Sequence, residues 1–200
     1  MNNRQGAHAT LVLPGRAPYL FVMRAQTPII FCLGLLLAQL GSTLPAAAQN
    51  RAPAPAAGPH KLGTFEDWTA ARHQEDGKAV CYAFTRSAKS TPAVPGRGEV
   101  VLTVTQRPSG RDSVAISAGF AYPPNADVTV TVDTTALNFY TNQRFAFAKE
   151  GPATVAALQR GRQAISRGPS PRNVPVEDTF SLRGFGAAYA AIVKACPPTR

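Results

Sequence analysis

The chain has 200 residues, with 21 Lys or Arg against 11 Asp or Glu, so its formal net charge is +10. The basic residues are scattered and accompany no recognised nucleic-acid motif. This pattern argues against a nucleic-acid-binding protein and leaves a weak attraction to acidic surfaces.

The first predicted element is a secretory signal peptide over residues 1–48. Residues 29–37 form an apolar run that follows two arginines, and the small residues Ala46 and Ala48 occupy the positions that a signal peptidase prefers. The run is short for a bilayer-spanning helix, which needs about 20 apolar residues, although an uncleaved N-terminal anchor is the alternative. A start at Met23 would give a signal of more ordinary length.

Cleavage near Ala48 would place the mature chain in the periplasm or outside the cell, with association with the outer membrane as one option and no transmembrane span. Residues 49–60 are rich in Pro and Ala and predict an extended linker. Residues 61–198 predict a single domain. Cys81 and Cys196 remain after cleavage. In an oxidising compartment we expect a disulfide between them, with two independent buried thiols as the alternative.

Hydrophobic residues alternate with polar ones from Leu62 onward, a period typical of strands. Loops rich in Pro and Gly interrupt this pattern at residues 87–98 and 168–175. The predicted strands cover residues 79–85, 99–106, 113–120, 127–132, 136–140, 144–148, 163–167 and 176–183.

Two stretches have helical spacing instead. Residues 152–162 begin with a proline that suits a first helical turn, and residues 184–195 end directly before Cys196. The sequence therefore predicts a mainly β fold, an antiparallel β-sandwich with a short internal helix and a C-terminal helix. A Cys81–Cys196 bond would tie that last helix to an early strand.

Catalytic, cofactor and metal-binding motifs are not found in the mature sequence. His60 adjoins the predicted linker, and His73 falls in a polar segment, residues 72–77, that we interpret as a hairpin turn. Asp67 and Asp178 could approach one another across the sheet as an acid/base pair, although turn and edge roles are the alternative. Trp68 is interpreted as a core anchor with a satisfied indole N–H, against a ligand-stacking platform.

Five segments, in order, resemble the invasion-associated locus B family of exported alphaproteobacterial proteins. The resemblance as a whole covers roughly residues 62–196, and Cys196 is similar to the terminal cysteine of one branch. The segments are residues 65–69 (Phe-Glu-Asp-Trp-Thr), 80–84 (Val-Cys-Tyr-Ala-Phe), 104–108 (Val-Thr-Gln-Arg-Pro), 113–120 (Ser-Val-Ala-Ile-Ser-Ala-Gly-Phe) and 177–185 (Glu-Asp-Thr-Phe-Ser-Leu-Arg-Gly-Phe).

The resemblance implies an immunoglobulin-like β-sandwich in the periplasm or envelope, from a family associated in pathogens with entry into host cells. It carries over no catalytic residue. The chain departs from the family pattern at Glu66, where a glycine is usual, and in the proline-rich loop of residues 169–175.

The functional hypothesis from the sequence is an exported, non-enzymatic protein that acts through its surface. Its partner would be a protein of the envelope or of a host surface. The alternative is a periplasmic carrier of a small ligand, with a pocket around Trp68 and Tyr140.

Overall fold

The computed structural model describes residues 58–198, which form eleven strands and two helices. The predicted signal peptide and residues 49–57 of the predicted linker lie outside the described residues. The strands are β1 (His60–Phe65), β2 (Trp68–Glu75), β3 (Lys78–Arg86), β4 (Lys89–Thr91), β5 (Val101–Arg107), β6 (Gly110–Ser117), β7 (Asp127–Val132), β8 (Thr135–Asn142), β9 (Phe145–Ala148), β10 (Gln163–Pro169) and β11 (Pro175–Ser181). The helices are α1 (Gly151–Arg160) and α2 (Phe185–Ala195).

All eleven described strands belong to one antiparallel sheet with the order β1-β2-β3-β5-β6-β9-β8-β7-β10-β11-β4. Most neighbours in this order are joined by short hairpins. The pairs β3–β5, β6–β9 and β7–β10 are neighbours with longer connections. Strand β4 follows β3 in the chain but pairs with β11 at the far edge of the sheet.

The sheet folds over so that strands from its two ends come together. The indole Nε1 of Trp68 in β2 donates to the carbonyl oxygen of Ser181 in β11, at 3.0 Å, although eight positions separate these strands in the sheet order. The short crossover from β3 to β4 also links the two halves, because the Ala88 N–H donates to the Thr179 carbonyl. The predicted mainly β fold, with two facing layers, is confirmed.

The core lies between these layers and follows the period of two that the sequence displays. In β5 the side chains of Leu102 and Val104 are buried, and those of Thr103 and Thr105 lie on the outer face. The same alternation continues in β6 and β7. The largest fully buried side chains are Trp68, Phe139, Phe180 and Phe185.

Three strands, β1, β2 and β4, were not predicted. Polar and small residues dominate β2, and β4 has three residues inside a segment rich in Pro and Gly. The interpretation of residues 72–77 as a turn is wrong for His73, which lies within β2. The turn is Asp76-Gly77, where both residues have positive φ, +49° and +74°, as a type I′ hairpin turn requires.

Both predicted helices are present and pack against the sheet. Helix α1 begins at Gly151 and buries Val155 and Leu158, whereas α2 buries Phe185, Ala188 and Ile192. Neither described helix has the length and apolar character that crossing a membrane would require.

Helix α2 is held to the sheet at both of its ends. Phe185 in its first turn packs on Trp68, with ring centroids 4.7 Å apart. At its other end Cys196 is joined by a disulfide to Cys81 in β3, with a Cα–Cα distance of 5.9 Å. The Arg111 guanidinium also donates to the Cys196 carbonyl at 2.6 Å. A helix this short depends on such contacts, because isolated helices below about 12 residues are marginal in water.

A buried polar network supports the middle of α2. The Tyr189 hydroxyl donates to Asp112 Oδ1 at 2.7 Å, and the fully buried Gln106 amide donates to the same oxygen. Burial, together with the hydrogen bond to Asp112, raises the pKa of Tyr189 to about 12. The phenol is therefore neutral, as a donor must be, throughout the physiological pH range.

Replacing both cysteines, Cys81→Ser with Cys196→Ser, is expected to lower the free energy of unfolding by about 2–5 kcal/mol, because the bond closes a very long loop. Urea denaturation measures this loss. Reducing the wild type should reproduce it, and reductant should leave the double variant unchanged. An equal stability for the oxidised wild type and the double variant would contradict the role given to the bond.

Candidate interaction surface

Asp178 is a structural partner of Arg97 inside the domain. The two side chains are 5% and 6% exposed, and Arg97 Nη1 and Nη2 donate to Asp178 Oδ1 and Oδ2 at 2.7 Å each. Ser90 Oγ donates to Oδ1 at 2.7 Å. A bidentate, fully hydrogen-bonded pair of this kind is the arrangement that a buried charge needs.

The same guanidinium links three separate segments. Arg97 comes from the β4–β5 connection, its Nε donates to the Ala118 carbonyl after β6 at 2.6 Å, and Asp178 belongs to β11. The cation also lies 4.5 Å from the centroid of the Phe120 ring. Burial, and then the nearby Asp178 carboxylate, raise the pKa of Tyr122 to about 12.

Asp67 lies on the opposite face of β11 from Asp178. The side chains of Val176, Asp178 and Phe180 point into the core, so Ser181 points outward, and its hydroxyl donates to Asp67 Oδ2 at 2.7 Å. The structure therefore does not bring Asp67 and Asp178 together as an acid/base pair.

Trp68 occupies the core, as the first of its two interpretations predicts. It has no exposed surface, and its indole N–H is satisfied by the Ser181 carbonyl. Tyr140 is 50% exposed on the outer face of β8. The two side chains therefore do not form the predicted common pocket.

Tyr140 belongs instead to an exposed aromatic patch, defined here as Tyr140, Phe145 and Phe147. Tyr140 and Phe147 are direct cross-strand partners with ring centroids 5.5 Å apart, and the Phe145 ring lies 6.0 Å from that of Phe147. Phe145 is 43% exposed. Three adjacent rings on the solvent side of a sheet form a surface able to contact a partner.

The patch continues as a row across five strands. Phe147 pairs with Ala115, Ala115 with Thr103, and Thr103 with Phe84, so these side chains share the outer face. Phe84 stacks on Tyr82 with centroids 6.0 Å apart, and the Arg86 guanidinium lies 5.8 Å from the Phe84 centroid.

A separate cavity of about 310 Å³ adjoins the buried ion pair. One wall is residues 92–97 of the β4–β5 connection, and the other is the β10–β11 turn. Phe120 lies between the two walls. The contributing residues of the turn are Ser170, Pro171, Arg172 and Val174.

The two histidines among residues 58–198 have different surroundings. His60 is exposed at the start of β1. His73 Nε2 lies 2.9 Å from Glu75 Oε1, and Arg107 donates to both Glu75 oxygens at 3.0 and 3.1 Å. The Arg107 and His73 hydrogen bonds lower the pKa of Glu75 from 4.5 to about 2. Within residues 58–198, no three His, Cys, Asp or Glu side chains are grouped to hold a metal ion.

A model of the Invasion associated locus B (IalB) protein family matches residues 68–193, which is more than half of the chain. This chain belongs to the IalB family. Among solved structures it is similar to the crystal structure of invasion associated protein b from Bartonella henselae, with a TM-score of 0.51 and 18% identity over 66% of this chain and 95% of that chain. This likeness supports the fold alone. A search of curated proteins finds no match.

Two of the five segments through which the sequence resembles the IalB family meet in the structure around Trp68. Residues 65–69 form the β1–β2 turn, and residues 177–185 form β11 and the start of α2. Two hydrogen bonds from Trp68 and Ser181 connect these segments, and a Cβ on Gly184 would collide with the Phe65 carbonyl. These family segments therefore maintain the fold. IalB membership and the disulfide are both consistent with an oxidising compartment.

Asp178→Asn is expected to lower the free energy of unfolding by about 3–5 kcal/mol, because it leaves the Arg97 charge buried and unpaired. The matched control is Glu177→Gln on the same strand. Its Arg167 pair is half exposed, so the control should lose less than about 1 kcal/mol. Urea denaturation measures both values. If Asp178→Asn does not fold, the double variant Arg97→Met with Asp178→Leu should recover a folded protein. Equal losses in the two single variants would contradict this assignment.

Arg107→Gln is expected to raise the pKa of Glu75 from about 2 toward 4.5, because it removes the largest cause of the lowered value. A lowered pKa in the folded state stabilises the protein above pH 4.5 and loses that effect as the pH falls to about 2. NMR titration of the Glu75 side-chain carboxyl carbon tests this. Arg86→Gln, which removes the partner of Glu99, is the control and should leave the Glu75 titration unchanged. An unaltered Glu75 pKa in Arg107→Gln would refute the prediction.

Proposed function

We propose that this protein is exported and acts without catalysis, by binding a protein partner of the cell envelope or of a host surface through the aromatic patch. In a pathogen this would contribute to entry into host cells. The observation that carries the proposal is the exposure of Tyr140 and Phe145, 50% and 43%, on a regular sheet face.

The chemistry of the patch supports a protein partner. Aromatic side chains are enriched at the centres of protein interfaces, and exposed apolar groups cost free energy unless a partner covers them. The neighbouring exposed residues Asn138, Asn142 and Gln143 are neutral and can hydrogen-bond at the rim. The row toward Phe84 gives the contact room to extend over five strands.

The positions of Asp67 and Asp178, the candidate acid/base pair, support a non-catalytic protein. Arg97 neutralises Asp178 in the interior, and Asp67 accepts the Ser181 hydroxyl on the other face of β11. Neither is presented to a substrate beside a second acid or base. Turnover of ester, peptide or glycan substrates that Asp67→Asn abolishes would overturn this part of the proposal.

The domain boundaries and the location are part of the proposal. Residues 1–48 would be removed by cleavage near Ala48. Residues 49–60 would form a linker, and residues 61–198 would form the binding domain, in the periplasm or outside the cell. N-terminal sequencing of protein from the periplasmic fraction should begin near Gln49. Intact leader on protein from the cell interior would contradict export.

A photo-crosslinking amino acid at position 140 is expected to capture one envelope or host-surface protein in intact cells, because the patch lies at the centre of the contact. The same group at Lys78, exposed at the far end of β3, should not capture it. Mass spectrometry of the crosslinked product identifies the partner.

Phe145→Ser should lower that crosslinking yield at least about tenfold, the effect of a residue at the centre of an interface. Thr135→Ser, exposed on β8, is the matched control and should not change it. Urea denaturation verifies that both variants are folded. Equal capture from positions 78 and 140, or undiminished capture with Phe145→Ser, would refute the aromatic patch as the binding surface.

A further inference from the structure

The cavity between the β4–β5 connection and the β10–β11 turn has the size and composition of a ligand site. Its volume of about 310 Å³ lies at the lower end of the range for small-molecule pockets, about 300–1,000 Å³. We infer that it binds one small anionic amphiphile, a molecule with an apolar chain and a terminal carboxylate.

The floor of the cavity is built before any ligand arrives. Arg97 is fixed by Asp178, by the Ala118 carbonyl and by the Phe120 ring. The backbone beside it is equally constrained. Gly98 donates to the Gly119 carbonyl at 3.0 Å, and Gly119 has a φ of +75° with no room for a Cβ. Because these residues are already ordered, the protein loses less conformational entropy when the ligand binds.

The second wall is a closed turn. The Ser170 N–H donates to the Val174 carbonyl at 2.8 Å, and the Val174 N–H donates to Ser170 Oγ at 3.1 Å. Asn173 N–H donates to the Ser170 carbonyl at 2.9 Å. These bonds hold Val174, which is 47% exposed, against the opening of the cavity.

The lining favours a ligand whose main part is apolar. Most of the lining side chains cannot form hydrogen bonds. These are Pro92, Ala93, Val94, Pro95, Phe120, Pro171 and Val174. An alkyl chain placed against them loses contact with water, which favours binding.

The charge around the cavity selects an anion. Among residues 58–198, Arg97 and Arg172 are the ionisable residues that line it, and no carboxylate of that range does. Asp178 neutralises Arg97, so the available cation is Arg172, which is exposed and forms no ion pair with any residue of the described part of the chain. The ligand carboxylate would therefore lie at the rim beside Arg172, with its chain directed toward Phe120.

Isothermal titration of the mature protein with decanoate, below its micelle concentration, tests the inference. We expect saturable binding of one molecule per chain. Decanol should bind about two- to fivefold more weakly than decanoate, and decyltrimethylammonium, which has the same chain and the opposite charge, should bind more weakly than decanol. Binding of decanol or the cation as tightly as decanoate would overturn the assignment of an anionic ligand.

Two variants locate the site. Arg172→Gln should weaken decanoate binding about two- to fivefold, the effect of a solvent-exposed ion pair, and make it insensitive to salt. Val174→Asp places a carboxylate at the opening and should weaken binding at least about tenfold. Arg160→Gln, an exposed arginine at the end of α1, is the control and should bind as the wild type does.

Undetectable decanoate binding to the wild type, or binding that neither variant changes, would refute the inference. Urea denaturation verifies that Val174→Asp is folded. If Val174→Asp does not fold, Arg172→Gln still tests the site, because Arg172 is exposed and its replacement should not affect folding. Phe145→Ser in the aromatic patch should leave decanoate binding unchanged. A negative result for decanoate binding is therefore distinguishable from a negative result for partner binding through the aromatic patch.

Discussion

The buried ion pair between Arg97 and Asp178 is the interaction on which the rest of this structure depends. It joins a loop from the middle of the chain to β11, near one edge of the sheet, and its Nε bond fixes the end of β6 as well. Two charges removed from water are tolerated because every strong donor faces an acceptor. The ion pair therefore fixes the β4–β5 connection, which is one wall of the cavity, against β11.

The IalB family segments have a related role elsewhere in the domain. Trp68 and Ser181 connect β2 to β11, and α2 is fastened by Phe185 at one end and by Cys196 at the other. Contacts between residues 65–69 and 177–185 therefore explain why strands from the two ends of the sheet come together. The exposed aromatic patch lies on β8–β9, whereas the cavity borders one family segment, since Phe120 of residues 113–120 lines it.

Much of the fold follows from the sequence, because alternation and helical spacing are local signals. Eight strands and both helices were predicted from them. β1, β2 and β4 were missed since polar residues and prolines obscure the alternation, and only pairing with distant strands makes these segments β. The pairing of Asp178 with Arg97, 81 residues apart, has no local signal. The sequence identified residues 87–98 and 168–175 as loops, but nothing in either loop indicates that they face one another. Tyr140 was selected for a pocket that the buried Trp68 cannot share.

The position of the disulfide has a consequence for the growing chain during synthesis. Cys196 is synthesised 115 residues after Cys81. At about 5–20 residues per second, that delay is on the order of ten seconds. During this interval Cys81 is an unpaired thiol, and helix α2, which packs on β3 in the folded protein, has not yet been made. A thiol oxidoreductase or a chaperone acting on the nascent chain would meet the molecule in that unfinished form.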